Sequence, residues 1–230
     1  MVIIMSQFMK ALTFSYDDGV TTDERLIEIF NRYGMKCTFN LNTGRHPESG
    51  ERPSWKVKEA TIGRFLVSEL PEIYKGHEVA VHSLTHPHLE AISEDECRRE
   101  LQDDIANIEK IFGKKPVGMA YPYGSYNDTV VKLVGESGLK YARGTNANFS
   151  FDVQTDLLRF RPTCHHKVEN LMDLARDFVA LKPETPKIFY VWGHSYEFAA
   201  DNNWDVIERF CEFMAGRDDI FYGTNEQVLL

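Results

Sequence analysis

Thr13-Phe14-Ser15-Tyr16-Asp17-Asp18-Gly19 is the stretch on which the reading of this chain turns. The apolar run from Ala11 to Tyr16 ends in two adjacent carboxylates and a glycine, the pattern of a strand running into a turn. Neighbouring residues at a strand end point in different directions. One carboxylate is then free to bind a cation while the other handles a proton. In isolation Asp-Asp-Gly is first of all a polar turn, because Asp and Gly are the commonest turn residues. The rest of the chain decides between the two.

Outward from that stretch, short β-type runs alternate with amphipathic ones. Strands are expected over residues 10–16, 36–41, 78–81, 116–121, 139–142, 158–161, 187–192 and 220–222. Helices are expected over 23–33, 62–74 (interrupted by Pro71), 93–112, 127–137, 168–181, 204–214 and 224–230. Ser93 with Glu96 reads as a capping box, and Gly34 as a C-cap. Residues 45–59, rich in Pro, Gly and polar side chains, read as a long surface loop. Strands alternating with helices imply a parallel sheet, and seven or eight βα units imply a closed α/β barrel, with an open doubly wound sheet as runner-up. No linker, repeat or low-complexity tract divides the chain, so residues 1–230 are expected to form one domain. No glycine-rich phosphate loop follows any strand, so nucleotide binding lacks its signature.

The formal charge of −9, from 35 acidic and 26 basic residues, argues against nucleic acid and against a polybasic membrane contact. Cys37, Cys97, Cys164 and Cys211 are scattered, with no Cys-x-x-Cys pair, and read as small half-buried free thiols. Val2-Ile3-Ile4-Met5 is too short for a signal-peptide core, and no stretch reaches the length of a membrane helix, so a cytoplasmic chain is expected.

The unusual polar residues fall at the C-terminal ends of the expected strands. Asp17 and Asp18 follow the first, His82 the third, Tyr123 the fourth, Arg143 the fifth, His165 and His166 the sixth, and His194 the seventh. In parallel α/β folds these ends gather on one face, where active sites are built. His82 and His86, four residues apart, are placed to share one cation. A carboxylate with two histidines leaves coordination positions for water and substrate. His88 lies outside that spacing and reads as a rim residue.

Phe14-Ser15-Tyr16-Asp17-Asp18-Gly19 resembles the Thr-Phe-Asp-Asp-Gly motif of the polysaccharide deacetylases, carbohydrate esterase family four. His82-Ser83-Leu84-Thr85-His86 is similar to that family's His-Ser/Thr-x-x-His motif, Tyr121-Pro122-Tyr123-Gly124 to its Arg-x-Pro-Tyr-Gly motif, and Trp192-Gly193-His194 to its late Leu-x-His motif. The four occur in the family's order. The resemblance implies a distorted (β/α)7-type barrel and metal-dependent removal of N- or O-linked acetyl groups from a saccharide. It implies one divalent metal on Asp18, His82 and His86: zinc first, with cobalt, nickel or manganese as alternatives. Asp17 would be the base, His194 the acid, and the Tyr123 N–H an oxyanion donor. Pro122, Tyr123, His165, His166, Trp192 and Tyr196 are expected to face the substrate, with Trp204 and Trp55 as further aromatic candidates.

The chain also departs from the family pattern. Ala120 stands where the family has the arginine that orients the base, so Arg143, or secondarily Arg161, is expected to reach Asp17 instead. The family's Asp-rich segment is not recognisable, leaving Asp152, Asp156 or Glu197 to tune His194, each read first as a surface residue. Two other readings stay open. One is hydrolysis of a small cyclic amide, allantoinase-like, on the same metal; the other is a non-catalytic carbohydrate-binding barrel.

Overall fold

The computed structural model describes residues 8–230, and the Val2–Met5 run lies outside them. In chain order the strands are β1 (Lys10–Asp17), β2 (Cys37–Leu41), β3 (Ser54–Val57), β4 (Ala60–Gly63), β5 (Glu78–Val81), β6 (Gly118–Ala120), β7 (Tyr141–Arg143), β8 (Cys164–His165), β9 (Lys187–Gly193) and β10 (Ile220–Tyr222). The α-helices are α1 (Asp23–Arg32), α2 (Leu70–Ile73), α3 (Glu94–Phe112), α4 (Asp128–Glu136), α5 (Leu171–Ala180), α6 (Ser195–Asp201), α7 (Asp205–Met214) and α8 (Asn225–Leu229).

Seven parallel strands follow one another in the order β7-β6-β5-β2-β1-β9-β8. Along one edge of β1, β10 pairs with Lys10–Leu12 and β2 with Phe14–Asp17. The two ends of this curled sheet, β7 and β8, do not pair directly. The chain around Phe160 spans the gap, forming a parallel bridge to Arg143 and accepting the Gly144 N–H at 3.0 Å. The fold is the distorted (β/α)7-type barrel that the motifs imply.

Strand alternation explains how β1 carries the site. Leu12, Phe14 and Tyr16 point outward to the helices, where Phe14 meets Phe30 of α1 at 4.5 Å and Phe210 of α7 at 5.9 Å between ring centroids. Each such large apolar side chain, fully buried, contributes about 1.5–3 kcal/mol. Thr13, Ser15 and Asp17 point into the barrel, where every one is buried and hydrogen-bonded. The barrel interior is therefore polar at its centre, and Asp17 is the last rung of an inward polar ladder.

The structure corrects several expected elements. The second half of the expected 45–59 loop and the start of the expected 62–74 helix form the β3–β4 hairpin, in which Trp55 pairs with Ile62. The helix that follows is only α2, with Pro71 in its first turn. There a missing N–H costs nothing, so the proline starts a helix rather than interrupting one. Residues 157–159 form a 3-10 turn, and the sixth strand is instead the two-residue β8. Helix α6, directly after β9, was not anticipated. All four cysteines are free and fully rather than half buried. Among the described residues no helix is long and apolar enough to cross a membrane.

Candidate active site

Asp17 ends β1, and the chain then reverses through Asp18 (φ 82°) and Gly19 (φ 64°), two successive left-handed residues. Gly19 adopts this φ without the strain of a side chain, and a Cβ there, 2.6 Å from Leu41 Cδ2, would displace that leucine side chain. Past this reversal both carboxylates still reach His82 Nε2, Asp17 Oδ2 at 4.0 Å and Asp18 Oδ1 at 3.9 Å. Left-handed backbone recurs at Ser83 (φ 62°), His86 (φ 66°) and Tyr123 (φ 58°). Non-glycine residues adopt such angles at a cost and cluster at functional sites.

The two aspartates have different surroundings. Asp17 is 2 % exposed and Arg143 is fully buried. The Arg143 Nη2 donates to Asp17 Oδ1, which also accepts from Asn40 Nδ2 at 2.8 Å. Arg143 Nε reaches Ser15 Oγ at 3.2 Å, and the guanidinium lies 4.7 Å from the Trp192 ring centroid. Burial pushes the Asp17 carboxyl up, but the Arg143 charge, with His82, His194 and the Arg143 hydrogen bond, brings it below its ordinary value. Arg161, the second candidate for this contact, is exposed and bonds to the carbonyls of Asn146 and Ala147. Among the described residues none donates a hydrogen bond to the Asp18 carboxylate. Its Oδ1 faces His86 Nε2 at 3.7 Å and His82 Nε2 at 3.9 Å.

His82 and His86 flank a bend rather than sharing a helical turn. Asn42 Nδ2 donates to the carbonyls of His82 and Ser83, Ser83 Oγ accepts the His86 N–H at 3.0 Å, and Glu100 accepts the Thr85 N–H at 2.8 Å. His82 Nδ1 lies 2.7 Å from the Ala120 carbonyl. Donation there places the ring proton on Nδ1 and turns the Nε2 lone pair toward Asp18. The ligand atoms of Asp18, His82 and His86 all lie within 4.8 Å of one another. An anionic oxygen free of donors, beside two imidazole nitrogens, fits a divalent metal with positions left open.

Asp104 of α3 supports this arrangement from below. Its carboxylate accepts from the Thr43 N–H at 2.9 Å, the Thr43 hydroxyl and the His82 N–H at 3.2 Å, tying the end of β2 to that of β5. Burial pushes its carboxyl up to about 7, against the three donated hydrogen bonds that pull it down. In Asp104→Asn an amide N–H₂ replaces an acceptor opposite these donors. The expected cost is about 1–3 kcal/mol of unfolding free energy, read by urea denaturation.

His194 follows β9, with Nε2 4.0 Å from Asp18 Oδ2. Its Nδ1 lies 3.4 Å from Glu197 Oε2, and Glu197 also accepts the His194 N–H at 3.2 Å. Burial pulls the imidazole down, but the Glu197 bond and the Asp17 and Asp18 charges raise it overall above its ordinary value. Glu197, rather than Asp152 or Asp156, is thus the acid beside His194. Asp152 pairs with Lys187 and Asp156 with Arg159 on the surface.

His165, His166 and Glu197 also gather three metal-capable groups. Hydrogen bonds hold His165 and Glu197 without an ion, while the buried His166 Nε2 has no hydrogen-bond partner among the described residues. The Lys167 N–H donates to His165 Nδ1 at 3.1 Å, which assigns the ring proton to Nε2, 3.0 Å from Glu197 Oε2. A metal on His165 Nε2 would need that proton on the occupied Nδ1. His166 is buried, stacked on Phe198 at 4.0 Å and bonded to the Tyr16 hydroxyl at 3.2 Å.

Of the residues expected to face substrate, Pro122, His166 and Trp192 are buried, whereas Tyr123, His165 and Tyr196 retain exposure. Tyr123 stacks on His88, ring centroids 3.8 Å apart, and its N–H donates to no backbone carbonyl among the described residues. Trp204 is core, packed on Phe198, while Trp55 lines an open cleft beside Asp18. Asn40, Asn42, Glu100 and Asp104 were missed by sequence reasoning. For the two acids a signal existed: on α3 they share the stripe of Cys97, Leu101, Ile105 and Ile108. An acid on an apolar helix face is a buried acid with a partner.

Comparison with known proteins bears on the family and the fold. The chain is 29% identical over 124 residues to the Bacillus subtilis peptidoglycan-N-acetylmuramic acid deacetylase PdaC, covering 52% of this chain and 22% of that protein. It spans under a quarter of the curated relative it matches. The solved structure of PdaC superposes with a TM-score of 0.57 at 21% identity, over 96% of this chain and 90% of that one. A family 4 carbohydrate esterase from Streptomyces lividans gives 0.55 at 17% identity, over 94% and 92% of the two chains. A family 4 pseudoenzyme from Bacillus anthracis gives 0.56 at 20%, over 96% and 66%. At these identities the superpositions speak for the fold. The polysaccharide deacetylase family model matches residues 6–142, which takes in Asp17, Asp18, His82, His86 and Tyr123 and stops one residue short of Arg143. With more than half of its length matched, this chain belongs to the polysaccharide deacetylase family.

Proposed function

We propose that this protein is a metal-dependent hydrolase that removes acetyl groups from an acetylated saccharide. The observation that carries the proposal is the division of labour between adjacent carboxylates. Asp17 is held ionised by Arg143 and Asn40, and Asp18, to which none of the described residues donates, faces His82 and His86. Asp18, His82 and His86 would hold the metal. When bound, zinc or a similar divalent ion supplies Lewis acidity, polarising the acetyl carbonyl and lowering the pKa of water.

The chain's own groups do the rest. Asp17 Oδ2, the oxygen not occupied by Arg143 and Asn40, takes the proton of the attacking water. The Tyr123 N–H donates to the carbonyl oxygen as negative charge develops on it. His194, its Nδ1 held by Glu197, gives the Nε2 proton to the departing nitrogen or oxygen. Tyr196 and His165 line the approach.

The test pairs metal content with acetate release. The purified protein is expected to bind one divalent ion per chain and to release acetate from N-acetylated oligosaccharides. Chelation should abolish release, and zinc should restore it. His86→Ala, which alters an accessible ligand, should lose the ion along with the activity. Ring opening of allantoin, assayed in parallel, with no acetate from any sugar would reject the proposal in favour of a cyclic amidase. Sugar binding without hydrolysis would reject it in favour of a binding protein.

A further inference from the structure

Beside Asp18 an open cleft of about 610 Å³ runs under the β3–β4 hairpin, lined by Arg45, Pro53, Trp55, Arg64 and Tyr196. Its charge is unlike that of the protein as a whole. Two guanidinium groups face one cleft in a chain of net charge −9. Arg64 is only 5 % exposed, and its buried Nη1 has no hydrogen-bond partner among the described residues. Among the described residues no carboxylate forms an ion pair with Arg64 or Arg45. Among the described residues the one acid lining the cleft is Asp18, whose Oδ1 faces His82 and His86 and whose Oδ2 faces His194.

A buried guanidinium is ordinarily paired, because its desolvation is otherwise uncompensated. Here the cost is met only in part, by Trp55, whose ring centroid lies 5.5 Å from the Arg64 guanidinium carbon. The hairpin fixes the group in place: the Arg64 N–H donates to the Pro53 carbonyl at 3.0 Å, and Arg64 bridges to Val20, just past Gly19. A planar fork held at a cleft and lacking an acceptor is built for an oxyanion, and Arg45 adds a second charge from the exposed rim.

Resting on the deacetylase reading above, we propose that this cleft is a specificity subsite. In it Arg64 and Arg45 bind a carboxylate or phosphate carried by the acetylated saccharide, with Trp55 and Tyr196 as its aromatic walls. The substrate is then an acidic sugar rather than a neutral one. The anion lies beside the metal ligands, so its sugar is the acetylated residue or that residue's immediate neighbour.

The test reads binding apart from catalysis. Saturation-transfer NMR on the full chain measures three matched, already deacetylated amino sugars: neutral, carboxylate ether and phosphate monoester. Acetate release is measured in parallel on their N-acetyl forms. One anionic sugar is expected to bind at least about tenfold more tightly than the neutral one, and the better anion identifies the source of the oxyanion. That preference should fall about tenfold in Arg64→Met and measurably in Arg45→Ala, whose exposed position leaves folding untouched. Equal binding of all three sugars, absence of binding, or a preference that survives both substitutions would overturn the proposal. Because the binding arm needs no hydrolysis, missing acetate release would count against the deacetylase reading alone.

Discussion

Arg143→Met is expected to lower the free energy of unfolding by about 3–5 kcal/mol. The substitution keeps the apolar volume against Trp192 and removes the charge. Asp17 would then be left ionised, 2 % exposed, with Asn40 as its one remaining donor. An ion stripped of its partner inside a protein is far more costly than the pair itself is valuable. The carboxyl should respond by rising from its depressed range, since the Arg143 charge is the main influence opposing burial. A second substitution discriminates this account from simple loss of packing. In Arg143→Met/Asp17→Asn no charge is stranded, so part of the lost stability should return. Urea unfolding followed by circular dichroism measures both variants against the unsubstituted protein. An unchanged midpoint for Arg143→Met, or a double variant no more stable than the single, would show that the pair does not act as described.

The same pair shows how far the sequence could be read. Seven of the eight expected strands and the gathering of polar residues at strand C-terminal ends were legible, because period-2 runs and turn residues are local signals, whereas the sixth was placed at 158–161 instead of at β8. Arg143 was legible as a candidate because Ala120 cannot make the expected contact and the next strand ends in a cation. What was not legible depends on packing between distant segments. Asn40 reads as one polar residue in a buried strand until β1 and β2 are in register, which sets Asp17 opposite it. Glu197 reads as a surface acid until α6 forms and sets it at the third position of that helix, under His194. The β3–β4 hairpin was hidden because its turn, Lys58-Glu59, lacks the Asn-Gly signature and places a lysine at φ 52°. Ala120 illustrates the opposite case. Its side chain is uninformative, yet its carbonyl fixes the tautomer of His82, and no substitution pattern at that position reports a backbone role.

Asp17→Asn is expected to reduce acetate release by about 10²–10⁴-fold while the chain still binds its metal. The amide is nearly the size of the carboxylate, and its oxygen can still accept from Asn40 and Arg143. What it lacks is the capacity to take up a proton. The metal should stay because the groups that fit it, Asp18, His82 and His86, are untouched. Geometry alone does not separate the aspartates: His82 Nε2 lies 4.0 Å from Asp17 Oδ2 and 3.9 Å from Asp18 Oδ1. The hydrogen bonds do separate them, since two donors occupy Asp17 Oδ1 and none of the described residues donates to Asp18. The variant also strands Arg143 without its counter-ion, so it should be assayed well below its own unfolding temperature, with circular dichroism confirming the fold. Metal analysis by mass spectrometry and acetate release on one preparation then give three distinct outcomes. Lost activity with retained metal supports Asp17 as the base. Lost metal would make Asp17 a ligand and reassign the proton transfer to another group. Retained activity would remove Asp17 from the chemistry and leave it as the inward end of the β1 polar ladder, held by Arg143 for structure alone.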